Sequence, residues 1–368
     1  MLKKIIIGMV LILLLAIAAG GYAMYSFFPE DDFVARFALE NPEKSAIIIV
    51  RNDTVLLQQN IDKQMPLAST LKLIIAIEFA EQAAHGILNP KEKIAKEELL
   101  NYYVPNTDGN AHMNWADSDE TLEYGDSIPL KNIAKGMIQY SSNANTEWLM
   151  ERLGLENINN QLKKLDLKNH TPIYPIVSAL FISNTFLKNT SNEDLITKLN
   201  DLSQEQYIQY TLDIHEKMKQ NPEFRKQTLD LNESIQRVWS DRLPAASAND
   251  YYALMQKLNS KTYFSKKTQE VLDDIIETSM KYNSVKEFYE HLGSKGGSTL
   301  FIMTKALYAK DKKGNRTEIV YFFNNLEPQE RKKMTMSMND FERAVLRNPK
   351  MAERVHQIYL DHKMVDVR

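Results

Sequence analysis

The chain has 368 residues, a quarter of them charged, with a formal net charge of −3 and no cysteine. Near-neutral charge, without basic runs interleaved with aromatics, argues against nucleic acid as the main partner, and the lack of cysteine rules out disulfides and a lipid-modified cysteine anchor. The length allows one large domain or two smaller ones, enough for a sizeable core.

Residues 1–28 read as a targeting segment, a signal peptide or membrane anchor. Lys3 and Lys4 precede an uncharged stretch over 5–28, and Glu30, Asp31 and Asp32 follow it. That asymmetry puts the N-terminus in the cytoplasm and the remainder outside. Ala16-Ile17-Ala18 fits a cleavage site, which would release a secreted or periplasmic protein. The stretch is also long enough to span a bilayer uncleaved, and the aromatics of 22–28 favour that anchored form, facing outside the cytoplasm. Export without disulfides suggests a bacterial envelope.

Residues 31–41 read as a short helix. Residues 45–50 and 54–58 are strand-like runs joined by Arg51-Asn52-Asp53, a hairpin signal. An apolar helix carrying Ser69 follows and stops near Gly86, a suitable C-terminal cap. Residues 90–100 have helical spacing, and 101–125 are loop-like, rich in Asn, Asp and Gly. Apolar residues at 130, 133, 134, 137 and 138 form a helical stripe, and a second helix runs over about 145–152. Residues 193–239 are polar and helical in pattern, which fits a solvated helical hairpin. Two more helices follow over 248–258 and 268–280. Strand signals return at 298–308 and 317–323, and 340–361 is helical. Strands at both ends of the sequence with a helical middle predict an α/β (α+β) architecture: one antiparallel sheet built from N- and C-terminal strands, flanked by helices, with an all-α lobe between. The division expected is 1–28 and a single domain over 29–368, with a helical insertion at about 177–239.

Ser69-Thr70-Leu71-Lys72 carries the sharpest chemical signal. A serine and a lysine three apart share one face of a helix. A lysine in dry surroundings holds its proton less firmly and can take the hydroxyl proton, making the serine a nucleophile. The alternative is a helix cap at Ser69 with Lys72 snorkelling to the surface. Ser141-Ser142-Asn143 lies between two helices and puts a hydroxyl and an amide at a junction. Ser247-Ala248-Asn249 and Ser337-Met338-Asn339 match the same pattern, and capping explains such pairs as well. Lys295-Gly296-Gly297-Ser298-Thr299 is read as the opening of a strand, where glycines let a ligand approach the backbone and a lysine suits an anionic group.

The order of these three motifs resembles that of the penicillin-recognising serine hydrolases, which comprise class A β-lactamases and penicillin-binding D-alanyl-D-alanine peptidases. Other segments share the likeness: Pro66-Leu67-Ala68-Ser69-Thr70-Leu71-Lys72 as the nucleophile helix, Asn101-Tyr102-Tyr103-Val104-Pro105 and Ile128-Pro129-Leu130 before Ser141, and Asp241-Arg242-Leu243-Pro244-Ala245 before the later helix. It extends over about 45–361, apart from the insertion. The resemblance implies the class A β-lactamase fold and an acyl-enzyme formed at Ser69 with a β-lactam or a D-alanyl peptide. It makes Lys72 the general base and Ser141 the proton relay. Asn143 would hold Lys72 and the substrate amide, and Lys295 the substrate carboxylate. Gly297 and Ser298 would line the substrate strand, with the Ser69 and Ser298 N–H groups as the oxyanion hole. No cofactor is implied.

The chain departs from that pattern in two places that bear on chemistry. Gly296 stands where the family has the threonine of K-T-G, and Ser298 or Thr299 is the nearest replacement. The E-x-x-L-N glutamate that activates the deacylating water is missing. His170-Thr171-Pro172-Ile173-Tyr174-Pro175-Ile176-Val177 occupies that region without an acid, which leaves Asp230 or Glu233 as substitutes. Acylation with slow release is therefore the expectation. An esterase or a non-hydrolytic sensing domain remain alternatives. The seven histidines lack metal-ligand spacing, so no metal site is expected. Tyr102, Tyr103 and Trp115 suit either a cleft mouth or the core.

Overall fold

The strand-forming runs from the two ends of the sequence meet in one sheet. The computed structural model describes residues 29–186, 190–229 and 231–366. The targeting segment expected at 1–28 lies outside them. Among the described residues no helix is long and apolar enough to cross a membrane. Five antiparallel strands, β1 (Ser45–Arg51), β2 (Thr54–Gln59), β3 (Tyr289–Ser298), β4 (Met303–Asp311) and β5 (Arg316–Phe323), lie in the order β2-β1-β5-β4-β3. In the centre Ile48 and Ala306 both pair with Val320.

Both faces of the sheet are covered, which is why β1 reads as a nearly unbroken apolar run. Ala46, Ile48 and Val50 face one core, and Ile47 and Ile49 face the other. The second face is closed by α1 (Phe33–Glu40) and, from the far end of the chain, α11 (Pro328–Arg347) and α12 (Pro349–Asp366). The first face packs on α2 (Lys72–Ala84) and α9 (Ala248–Ser260), and on a helical lobe of α3 (Leu130–Gln139), α4 (Asn143–Leu153), α5 (Leu155–Lys164) and α10 (Lys266–Ile276). Serine N-caps set several of these starts: Ser142 accepts from Asn145 N, and Ser247 from Asp250 N.

Some local expectations needed correction. Residues 298–308 are not one strand. Lys295 lies near the end of β3, and a turn over 299–302 leads into β4. The polar, glycine-containing β3 carries little strand signal of its own and is held by pairing along β4. Residues 90–100 form a short strand (Lys93–Ala95), paired with Ser127–Pro129, before a single helical turn. Two short helices, Ala111–Ala116 and Asp119–Leu122, interrupt the loop expected at 101–125.

The insertion is not merely a solvated hairpin. Its helices α6 (Asn192–Asp201), α7 (Gln204–Gln220) and α8 (Glu233–Asp241) contribute Leu195, Leu199, Tyr207, Ile214, Met218, Ile235 and Val238 to the main core. The end of α8 is tied to the β3–β4 turn by Ser240 Oγ, which donates to Thr299 Oγ1 at 2.9 Å.

Candidate active site

Ser69 sits in a 3₁₀ turn, Ala68–Leu71, that runs directly into α2 at Lys72. A ribbon of Gln64–Pro66 with Ala245–Ser247 anchors the turn from behind, and Leu67 N donates to Pro244 O at 2.9 Å. Ala68 is held at φ +45°, in the left-handed region that costs a non-glycine residue about 1 kcal/mol or more. Strand β4 braces the turn through Thr304 Oγ1, which contacts Thr70 Oγ1 at 2.7 Å and donates to Leu67 O at 2.9 Å.

Lys72 has no exposed surface. Its Nζ donates to Ser141 O at 2.7 Å and Asn143 Oδ1 at 2.8 Å, and contacts Ser141 Oγ at 3.3 Å. Ser141 stands at the α3–α4 junction with φ +67°, a second strained position, and its carbonyl and hydroxyl face Lys72. Lys295, almost fully buried on β3, donates to Ser141 Oγ at 3.0 Å and to Gly296 O at 2.7 Å. One hydroxyl therefore lies within reach of both lysines. Burial pushes Lys72 well below the ordinary lysine range, and Lys295 pushes it further, while Asp108 and Glu147 pull it back up. Burial, with Lys305 nearby, lowers Lys295 to about 7. A neutral Lys72 keeps two N–H donors, which match its two short contacts, and a lone pair to accept a proton. Among the described residues Ser69 Oγ is not a hydrogen-bond partner of Lys72.

A cleft of about 650 Å³ opens above this constellation, and Ser69, Ser141, Asn143, Gly297 and Ser298 line it. Lys72 and Lys295 lie beneath its floor, so the seven residues singled out in the sequence converge. Gly297 is required by the packing, since a Cβ there would stand 2.5 Å from Ser69 N and 2.8 Å from Leu67 O. Thr299, the other candidate for the missing threonine hydroxyl, lines the cleft with its side chain tied down. Its Oγ1 is engaged with Ser240 Oγ and with the backbone N–H groups of Phe301 and Ile302. Ser298 is exposed in the cleft.

The cleft also contains residues that no motif marked. Arg331, from the first turn of α11, lines it, donates Nε to Thr299 O at 2.9 Å, and has no carboxylate partner among the described residues. Lys305 lines it too, but is paired with the buried Glu342 at 3.2 Å. Gln236 and Trp239 of α8 form one wall beside Ile176, with Trp239 Nε1 donating to Ile176 O at 2.8 Å. Asp108 lines the opposite side. Of the two acids considered as substitutes, Glu233 lies on the exposed side of α8 and does not line the cleft, and Asp230 is outside the described residues. Tyr102 and Trp115 belong to the core. Among the described residues no cluster of His, Asp and Glu could hold a metal.

A family model described as a beta-lactamase enzyme family matches residues 33–291. The chain belongs to the beta-lactamase enzyme family. This makes it a β-lactamase-like serine hydrolase of the penicillin-recognising superfamily. No curated protein matches its sequence. Among solved structures it is similar to a β-lactamase from Sphaerobacter thermophilus, at 16% identity and TM-score 0.53 over 86% of this chain and 95% of that one. A class A β-lactamase from Bacteroides cellulosilyticus superposes at 14% identity and TM-score 0.50, over 91% and 98% of the two chains. A β-lactamase from Chitinophaga pinensis does so at 14% identity and TM-score 0.50, over 84% and 99%. At these identities the likeness is one of fold, the class A β-lactamase fold.

Proposed function

We propose that this family member is an exported enzyme that forms an acyl-enzyme through Ser69 with β-lactams or D-alanyl peptides and releases it slowly. The observation that carries the reading is Ser141 Oγ standing between two buried lysines, 3.3 Å from Lys72 Nζ and 3.0 Å from Lys295 Nζ, beside the cleft that Ser69 lines. Ser69 Oγ attacks the carbonyl carbon as its proton passes to the neutral Lys72. The C–N bond then breaks, and Ser141 relays the proton to the departing nitrogen. General-base catalysis of this kind contributes about 10²–10⁴-fold. The N–H groups of Ser69 and Ser298 receive the developing oxyanion, where one donor is worth about 2.7–4 kcal/mol. Asn143 holds the substrate amide, and Lys295 with Arg331 receives its carboxylate.

Slow release rests on the cleft wall. Where the family's hydrolytic glutamate is expected, Ile176 lines the cleft. The nearby buried acid, Glu147, is occupied in accepting Val177 N at 2.6 Å, Ser178 N at 3.1 Å and Ser178 Oγ at 2.9 Å. Export rests on the lysines, apolar stretch and acids of the first 32 residues.

Intact-mass spectrometry with benzylpenicillin tests the reading. A persistent adduct on the wild type that is absent from Ser69→Ala is expected. No adduct on the wild type overturns the acyl-enzyme, and rapid return to the unmodified mass overturns slow release.

A further inference from the structure

Asp108 belongs to none of the sequence motifs, yet it is the one acidic side chain among the described residues lining the cleft. The loop that carries it turns sharply, with Asn106, Gly109 and Asn110 at φ +64°, +59° and +65°. Asn and Gly tolerate that left-handed region best, and Thr107 Oγ1 fastens the turn by donating to Val104 O at 2.7 Å. The carboxylate is thereby directed inward. Its Oδ2 accepts the backbone N–H of His112 at 3.0 Å and, more weakly, that of Asn143 at 3.4 Å. Its Oδ1 is buried and has no hydrogen-bond partner among the described residues. Leaving such an oxygen unpaired costs on the order of 1–3 kcal/mol, so its position calls for a reason.

The reason lies in the charges around Lys72. Lys295 faces it from β3, and Lys305 on β4 stands next to Lys295. Two acids oppose them, Asp108 from the loop and Glu147 from α4. Glu147 is already committed to Val177, Ser178 and His215, the last at 3.4 Å. Asp108 has an oxygen to spare, exerts the larger of the two effects on Lys72, and contacts the backbone of Asn143, whose side chain accepts from Lys72.

We infer that Asp108 is a positioning residue for acylation: it fastens the Asn143 backbone and supplies the counter-charge for Lys72 when that amine takes the Ser69 proton. The inference rests on the reading of Ser69 as an acyl-forming nucleophile. As the bond from Ser69 Oγ to the carbonyl carbon forms, the proton moves to Lys72 Nζ and creates a buried ammonium beside a second buried lysine. A carboxylate close by stabilises that ammonium and opposes the lowering of Lys72 by burial and by Lys295.

Asp108→Asn separates charge from shape, because the amide oxygen can still accept both backbone N–H groups. Acylation by benzylpenicillin is followed against pH by rapid quench and mass spectrometry, with the thermal midpoint measured alongside. The acid limb of the acylation profile is expected to move down by about one pH unit, with a lower plateau from the weaker base and little change in midpoint. An unmoved limb overturns the inference, whether the rate is unchanged or falls together with the thermal midpoint. Slowed deacylation with unchanged acylation also overturns it and assigns Asp108 to the hydrolytic water. Titration of Lys72 in ¹³C-lysine-labelled protein, wild type against Asp108→Asn, needs no substrate. A lowered Lys72 titration in a protein that no β-lactam labels would sink only the acyl-enzyme reading. An unchanged one sinks the counter-charge.

Discussion

Gly297 on β3 lies so close to Ser69 that a Cβ on the glycine would stand 2.5 Å from the serine's amide nitrogen. Strand and nucleophile turn are therefore one rigid unit, and no L side chain fits between them. Gly297→Ala has to push β3 away from the turn and so spreads the two proposed oxyanion donors. Acylation is expected to fall about 10²–10³-fold, the loss typical of one such donor. Gly296→Ala is the control, since its Cβ would meet only Thr304 O, at 3.2 Å, and the Lys305 side chain. Equal acylation rates in the two variants would show that the close approach has no catalytic consequence.

Lys72→Met removes the proposed base while keeping most of the buried stem. Acylation should drop about 10²–10⁴-fold. Stability carries a separate signature. The lysine is neutral in the fold over a pH range in which the unfolded chain holds the proton, so it destabilises wild type increasingly as pH falls below the ordinary lysine range. The variant lacks that penalty. Its thermal midpoint relative to wild type should therefore rise as pH is lowered, and a constant difference would mean that Lys72 stays protonated.

Lys295 is lowered to about 7 from 10.5. It is a cation below about 7 and neutral above. Acylation by a penicillin with a free carboxylate should weaken as pH rises through 7, in part only, because Arg331 remains charged. Acylation by the penicillin methyl ester should lack this decline, and identical profiles for acid and ester would remove Lys295 from carboxylate binding. Between about 7 and 10.5 the unfolded chain binds more protons at this site, so unfolding free energy should rise with pH there, and less steeply in Lys295→Met.

Glu147 ties the segment after α5 to the helical lobe. Glu147→Ala leaves the Val177 and Ser178 N–H groups and the Ser178 hydroxyl without their acceptor. A loss of roughly 3 kcal/mol is expected in urea unfolding. Glu147→Gln, which keeps an acceptor for the two N–H groups, should lose clearly less. Equal losses would point to the charge, facing His215, as the important element.

The three motifs were legible because each is short and its geometry is local. Ser69 and Lys72 are one turn apart, Ser141 and Asn143 share a helix junction, and Lys295 and Gly297 lie on the same face of a strand. Most of the sheet was legible from apolar, strand-forming runs at both ends of the chain. Less could be read where a segment depends on its neighbours. Strand β3 is polar and rich in glycine, and becomes a strand by pairing with β4. Residues 193–239 read as solvated because their charged faces dominate, while the apolar positions that dock them are scattered among those charges.

The order of the Ser69, Ser141 and Lys295 motifs along the chain was given by the sequence alone, and with it the resemblance to the family. The tertiary structure decided their environment. Burial lowers both lysines, the docking of α8 puts Trp239 in the cleft wall, the turn at 106–110 directs Asp108 inward, and the start of α11 supplies Arg331. Local spacing cannot encode these placements, because each depends on which distant surfaces exclude water from one another. Desolvation, the largest influence on Lys72 and Lys295, arises only once those surfaces have met.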